Sequence, residues 1–273
     1  LDDLRNADVF IHIVDASGST NEKGENVTPL SHDPVNNVRF LEEELNYWYL
    51  GVIKKGWEKL ARQMVQEKAE AYKVIGKQMS AFGVTEDMSK DVLEKLKLKD
   101  KLPTLWTEEE LMELAFRFRK LTKPVIIAAN KIDVPGAYEN YLKIKEAFKN
   151  YLIIPCSSEA ELALKEANKH GLIEYLPGNN NFRILDESKL SDKQRNGLNF
   201  LKQTVLDKYG STGVQAVINS AVFEMLKYIA IFPGGVNNLK DSEGRTIPDC
   251  FLMPPGTTAL SFAYQLHTDF GEG

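Results

Sequence analysis

Residues 123–133 read Lys123-Pro124-Val125-Ile126-Ile127-Ala128-Ala129-Asn130-Lys131-Ile132-Asp133. From Val125 to Ala129 the run is uncharged and apolar without alternation, as a strand buried on both faces of a parallel sheet requires. It empties directly into Asn-Lys-x-Asp. Open α/β sheets bind ligands beyond the carboxyl ends of their strands, so this polar tetrapeptide stands where such a ligand would be met. A carboxylate there can accept two hydrogen bonds. A site built around that acceptor rejects ligands lacking the donors, because its own polar atoms would be left unpaired.

Working outward, residues 9–15 (Val-Phe-Ile-His-Ile-Val-Asp) read as a second buried parallel strand, preceded over residues 1–8 by the last turns of a helix. His12 lies inside that apolar run and reads as a hydrogen-bonded core histidine, since no partner at metal-ligand spacing accompanies it. Residues 18–28 are polar and Gly-bearing, hence a surface loop. After the central strand, residues 138–150 read as a helix and 151–159 as a third strand ending in the turn Pro155-Cys156-Ser157-Ser158-Glu159. Small residues let backbone N–H groups approach a ligand. The same residues also read as a capped helix start, with Ser157 or Ser158 at the N-cap and Glu161 in the first turn.

Between the first two strands lies a long helical insertion. Asp33-Pro34 is an N-cap followed by proline at the first helical position. Val38, Leu41, Leu45, Trp48 and Val52 follow at spacings of three and four, and Trp57, Leu60 and Met64 continue past Gly51 and Gly56. The aromatic residues read as a helix-hairpin seam. Residues 80–85 turn the chain back, and Thr107-Glu108-Glu109-Glu110 is a capping box for a last helix. Lys54, Lys55, Lys59 and Arg62 lead a dense series of basic positions with acidic residues between them, which reads equally as a solvated face and as an RNA-contacting stripe. Residues 176–185 read as loop, and 191–209 and 213–227 as helices. Residues 228–234 and 251–253 read as strands separated by a hairpin or loop over 235–248, before a short helix from Thr258 through His267.

The 273 residues can bury a full core and are enough for about two domains. A net charge of -5 and a pI near 5.6 exclude a generally basic nucleic-acid coat but leave room for a local basic face. Cys156 and Cys250, the only cysteines, sit in apolar settings and imply reduced thiols rather than a disulfide framework. With no run long enough to cross a bilayer and no leader pattern at Leu-Asp-Asp-Leu-Arg, the expectation is a cytoplasmic protein without a membrane partner. Residue 1 falls in mid-helix and Gly273 follows Asp-Phe-Gly-Glu without a closing element, so a fragment is expected.

The order of these parts resembles the YchF family, the Obg-like branch of the P-loop GTPases. The match is carried by residues 4–17, the insertion opening at Asp33-Pro34, the Asn130–Asp133 motif with the 155–159 turn after it, and residues 255–269, which are similar to the core of a ubiquitin-like TGS domain. The resemblance implies an α/β fold: a P-loop GTPase-type parallel sheet over 1–32 and 122–227, split by a coiled-coil-like helical domain over 33–121 and followed by an incomplete α+β TGS domain over 228–273. It implies that Asp133 binds the N1–H and 2-amino edge of guanine, which adenine cannot offer. Asn130 would tie the base-binding loops together and contact the base, and the Lys131 stem would lie along the purine face. Ser158 would present a backbone N–H to the base oxygen, with Ser157 and Glu159 completing the turn. Many YchF proteins replace the Lys and Asp of this motif and prefer ATP; this chain keeps both, which favours GTP.

The implied function is a GTP-binding and GTP-hydrolysing switch whose helical and TGS domains contact a ribosome or RNA. The chain contains no Gly-x-x-x-x-Gly-Lys-Ser/Thr, so the phosphate and Mg²⁺ ligands are expected upstream of Leu1 and no catalytic residue is assigned. Two alternatives stand beside it: an ATP-preferring ATPase of the same family, and a nonenzymatic RNA or ribosome adaptor with a vestigial nucleotide fold.

Overall fold

The computed structural model describes residues 2–21, 23–232, 240, 243–246 and 250–266. They fall into two compact units, Leu1–Val217 and Ile218–Gly273. The first is built on a parallel three-stranded sheet of β1 (Phe10–Asp15), β2 (Val125–Asn130) and β3 (Leu152–Pro155), with β2 in the middle. Phe10 to Asp15 pair in register with Val125 to Asn130, and Ile126 to Ala129 with Leu152 to Pro155. Val125 to Ala129 are all buried, as a central strand covered on both faces must be. The first strand differs from expectation: Val14 is buried, but Ile11 and Ile13 on the opposite face are 40% and 62% exposed. Burial lowers the His12 ring pKa to about 4, and no side-chain hydrogen bond reaches it from the described residues.

The insertion comprises α1 (Pro34–Lys54), α2 (Trp57–Gln66), α3 (Ala71–Gln78), α4 (Glu86–Lys95) and α5 (Glu108–Thr122). Asp33 caps α1 by accepting from Val35 N–H, and Thr107 and Glu110 form the reciprocal capping box of α5. Gly56 at φ 74° and Gly83 at φ 82° break what would otherwise be longer helices. The result is a five-helix cluster rather than a two-helix seam. Tyr49, Trp57, Ile75, Phe82, Leu93 and Phe118 share its core. Trp57 stacks on Trp106 with ring centroids 5.3 Å apart, and Trp48 and Tyr49 both meet Phe82 edge-on.

Arg119 of α5 joins this cluster to the sheet. It is buried, with Nη2 3.0 Å from Glu42, Nε 3.1 Å from Asn46 and Nη1 3.3 Å from the Tyr151 hydroxyl at the mouth of β3. The Tyr151 hydroxyl also donates to Glu42, and burial together with that carboxylate pushes its pKa up to about 12. Nearby, the buried Lys123 ammonium donates to the carbonyls of Arg5 and Ala7, each at 2.6 Å.

Beyond the central strand come α6 (Ala137–Ala147), α7 (Ser158–Lys169) and α8 (Asp192–Leu201). A two-stranded antiparallel ribbon of β4 (Ile173–Glu174) and β5 (Arg183–Ile184) ends inside the stretch that composition marks as loop. The helix after Ser191 continues through a π-type segment, Lys202–Leu206, to Tyr209. In the second unit, β6 (Ile229–Ile231) pairs antiparallel with β7 (Phe251–Met253), and Thr258 accepts from Ser261 N–H at the start of the Ala259–Leu266 helix. Most of the expected 235–248 hairpin, and His267, lie outside the described residues. No helix among those residues is long and apolar enough to cross a membrane.

Candidate binding site at the carboxyl edge of the sheet

The ends of β2 and β3 lie side by side, and their backbones lock the two following loops together. Cys156 N–H donates to Ala129 C=O at 2.9 Å, and Ile132 N–H to Cys156 C=O at 3.1 Å. Asn130 adds a side-chain tie: its Oδ1 accepts the Ser158 N–H at 2.9 Å. Lys131 turns the chain through φ 62°, a left-handed conformation unusual for a non-glycine residue. Its ammonium reaches back 2.9 Å to Asp15 Oδ2 and 3.0 Å to Ser19 Oγ at the end of β1.

Ser157 is buried and is the N-cap of α7: its hydroxyl accepts from Ala160 N–H at 3.2 Å, while its own N–H donates to Thr212 C=O. Ser158 opens α7 on the exposed side. Its N–H is spent on Asn130, which corrects the expectation that it would be offered to a ligand oxygen. The next N–H, that of Glu159, has no partner among the described residues, because the first turn of a helix lacks intrahelical acceptors. Asp133 is half-buried, and its Oδ1 is shielded from solvent without a hydrogen bond. Asp133 and Glu159 border one cavity of about 540 Å³, which continues between α7 and α8 past Ala160, Ala163 and Leu198. Two residues that border this cavity thus carry unspent polar groups, the shielded Asp133 Oδ1 and the Glu159 N–H. A buried acceptor is seldom left this way unless a ligand or water completes it.

Burial, with the Asp133 charge added, raises the Cys156 thiol to about 12, so it stays protonated and inert. Several supporting residues carry no motif. Glu161 is buried and accepts from the Tyr175 hydroxyl at 2.8 Å and the Thr212 hydroxyl at 2.6 Å. Gly213 has φ 79°, and a Cβ there would lie 2.1 Å from the Pro155 carbonyl oxygen. Asn140 of α6 donates to the Ala16 carbonyl at 3.0 Å. Only the positive φ of Gly213, a position suited to glycine alone, leaves any trace in sequence. Among the described residues no group of three or more His, Cys, Asp or Glu side chains could hold a metal ion.

Residues 128–236 match the profile of the Obg-like GTPase YGR210-like, G4 motif-containing domain. The chain is 44% identical over 273 residues to the GTP-binding protein MJ1332 of Methanocaldococcus jannaschii, covering all of this chain and 67% of that one. It is 31% identical over 267 residues to the GTP-binding protein C428.15 of Schizosaccharomyces pombe, covering 95% of this chain and 64% of that one. The chain thus spans about two thirds of the length of these relatives. Among solved structures, a GTP-binding protein from Pyrococcus horikoshii OT3 superposes with TM-score 0.75 at 37% identity, over 100% of this chain and 72% of that one. The Schizosaccharomyces pombe YchF GTPase superposes with TM-score 0.52 at 16% identity, over 99% and 61%, a likeness of fold alone.

Proposed function

The chain belongs to the YchF-related, Obg-like family of GTP-binding proteins, and from that premise we propose that its Asn130–Asp133 and Cys156–Glu159 loops read the base of GTP in a nucleotide-hydrolysing switch. The observation that carries this reading is that Asp133, whose Oδ1 has no partner, and Glu159, whose N–H is unspent, line one cavity. Guanine presents the complement: N1–H and a 2-amino group for a carboxylate, and a carbonyl oxygen for a backbone N–H. Adenine presents neither in those places. The residues present therefore fit the base. They do not fit Mg²⁺ or a triphosphate: there is no metal cluster among the described residues and no Gly-rich phosphate loop in the sequence, so hydrolysis is assigned to the full-length protein and no catalytic step to these side chains.

Calorimetry on the full-length protein tests the base reading. GTP and GDP should bind well ahead of ATP, and Asp133→Asn should weaken GDP by about a hundredfold, since a site built on a buried acceptor depends on its donors. ATP binding as tight as GTP, or an unchanged Asp133→Asn variant, overturns it.

The switch is further proposed to act on RNA or a ribosome through the helical cluster. Several of its cations are already engaged: Lys54 with Glu108 at 2.6 Å, Lys73 with Glu70 at 3.0 Å and Lys101 with Glu110 at 2.7 Å. Lys55, Lys59 and Lys77 form no ion pair with a described residue, and they line one cavity of about 370 Å³ that has no carboxylate in its wall. That is the local charge excess a phosphate backbone needs. Replacing the three by Glu should weaken binding to single-stranded RNA and flatten its slope against log salt by about 2 units; binding unchanged by the replacement returns them to a solvated surface.

A further inference from the structure

The cavity that begins at Asp133 runs on between α7 and α8, and its walls there have a regular spacing. From α7 it takes Ala160, Ala163 and Ala167; from α8 it takes Gln194, Gly197 and Leu201. Each row repeats at three and four residues, so one face of each helix is turned to the groove. Between Glu159 and His170 the α7 wall is about 16 Å long, three turns of helix.

Two features make this groove a receptor for another helix rather than a seam of the fold. The exposed wall residues Ala163 and Gly197 are small, which lets a backbone approach closely. Gly197 also sits in the middle of α8, where glycine costs helix stability relative to alanine. A Cβ added there would meet nothing within 4 Å. The fold itself gains nothing from the missing side chain, whereas a helix laid into the groove does.

The rim supplies the second selection. Asp133, Glu159 and Glu166 border the cavity, and no lysine or arginine does. Asp133 and Glu159 form no ion pair with a described residue, and Glu166 reaches only Lys169 at 3.8 Å and His170 at 3.6 Å. Such a wall repels the phosphates of a nucleic acid and attracts cations. Apolar depth between two helices, with carboxylates along the edge, suits an amphipathic helix whose apolar positions recur at three and four residues and whose flanks carry lysine or arginine.

We infer that the groove between α7 and α8 is the docking site for a basic amphipathic helix of a partner protein. This goes beyond the nucleotide reading: guanine would take only the Asp133 end, and the groove continues along α7 from there.

Fluorescence anisotropy of the full-length protein with a labelled three-heptad peptide, leucine at the first and fourth heptad positions and lysine beside them, tests the inference. The lysine peptide should bind, and its counterpart with glutamate for every lysine should bind weaker by on the order of tenfold. Gly197→Leu fills the groove where the fold has room, and should weaken the lysine peptide by on the order of tenfold without loss of stability in urea unfolding. Glu166→Gln, an exposed position, should weaken it about threefold at low salt and leave binding at high salt unchanged; it carries the test if Gly197→Leu fails to fold. Equal binding of the two peptides, no binding of either, or affinities of both variants within twofold of the parent at low salt each overturn the inference. So does a homodimer that Gly197→Leu dissociates, because the groove would then belong to a second copy of this chain.

Discussion

The Glu42 and Asp133 carboxylates sit at opposite ends of the same sheet. Glu42 meets the buried Arg119 guanidinium and the Tyr151 hydroxyl and is complete without any ligand. Asp133 is flanked by packed backbone, yet its shielded oxygen has nothing to accept from. One end is closed chemistry that fastens the helical cluster to the sheet; the other is open chemistry that folding leaves unfinished. An unfinished group costs folding stability, so its persistence where strands end is the sign of a binding function rather than a structural one.

That contrast predicts opposite responses to substitution. Glu42→Ala leaves Arg119 buried with only neutral acceptors, and breaking such a pair from one side should cost about 3 kcal/mol in urea unfolding. Tyr151→Phe, measured alongside it, removes one hydroxyl from the same cluster and should cost about 1 kcal/mol. Asp133→Asn, the change expected to be most damaging to nucleotide affinity, should shift stability by less than about 0.5 kcal/mol, because the shielded Oδ1 has no hydrogen bond within the fold to lose. A large stability loss at Asp133 would show that its oxygen is met within the protein and would erase the distinction between the two ends.

Legibility in the sequence follows the range of the interactions. The central strand announced itself through five consecutive apolar residues, and the caps at Asp33 and Thr107 through patterns spanning three or four positions. Asn130 and Asp133 were legible as a local motif, although the N–H left free in the turn proved to be that of Glu159 rather than Ser158. The Asp15 cluster was not legible, because Asp15 and Lys131 are 116 residues apart and meet only once β1 and β2 pair in register. The five-helix packing was hidden for a related reason. Periodicity reports which face of each helix is apolar, not that Gly56 and Gly83 redirect the chain so that those faces converge.

Thr212 and Gly213 extend this dependence on distant sequence. The turn at Cys156–Ser157 is braced from behind by a segment that arrives only after α7, the short ribbon and α8 have been laid down, and at Gly213 the two backbones run too close for any side chain to come between them. A nascent chain halted before Thr212 would already contain every motif residue without the strut that holds their turn in place. Competence to take a ligand at that turn would thus arise only after the polypeptide has passed well beyond the motif residues.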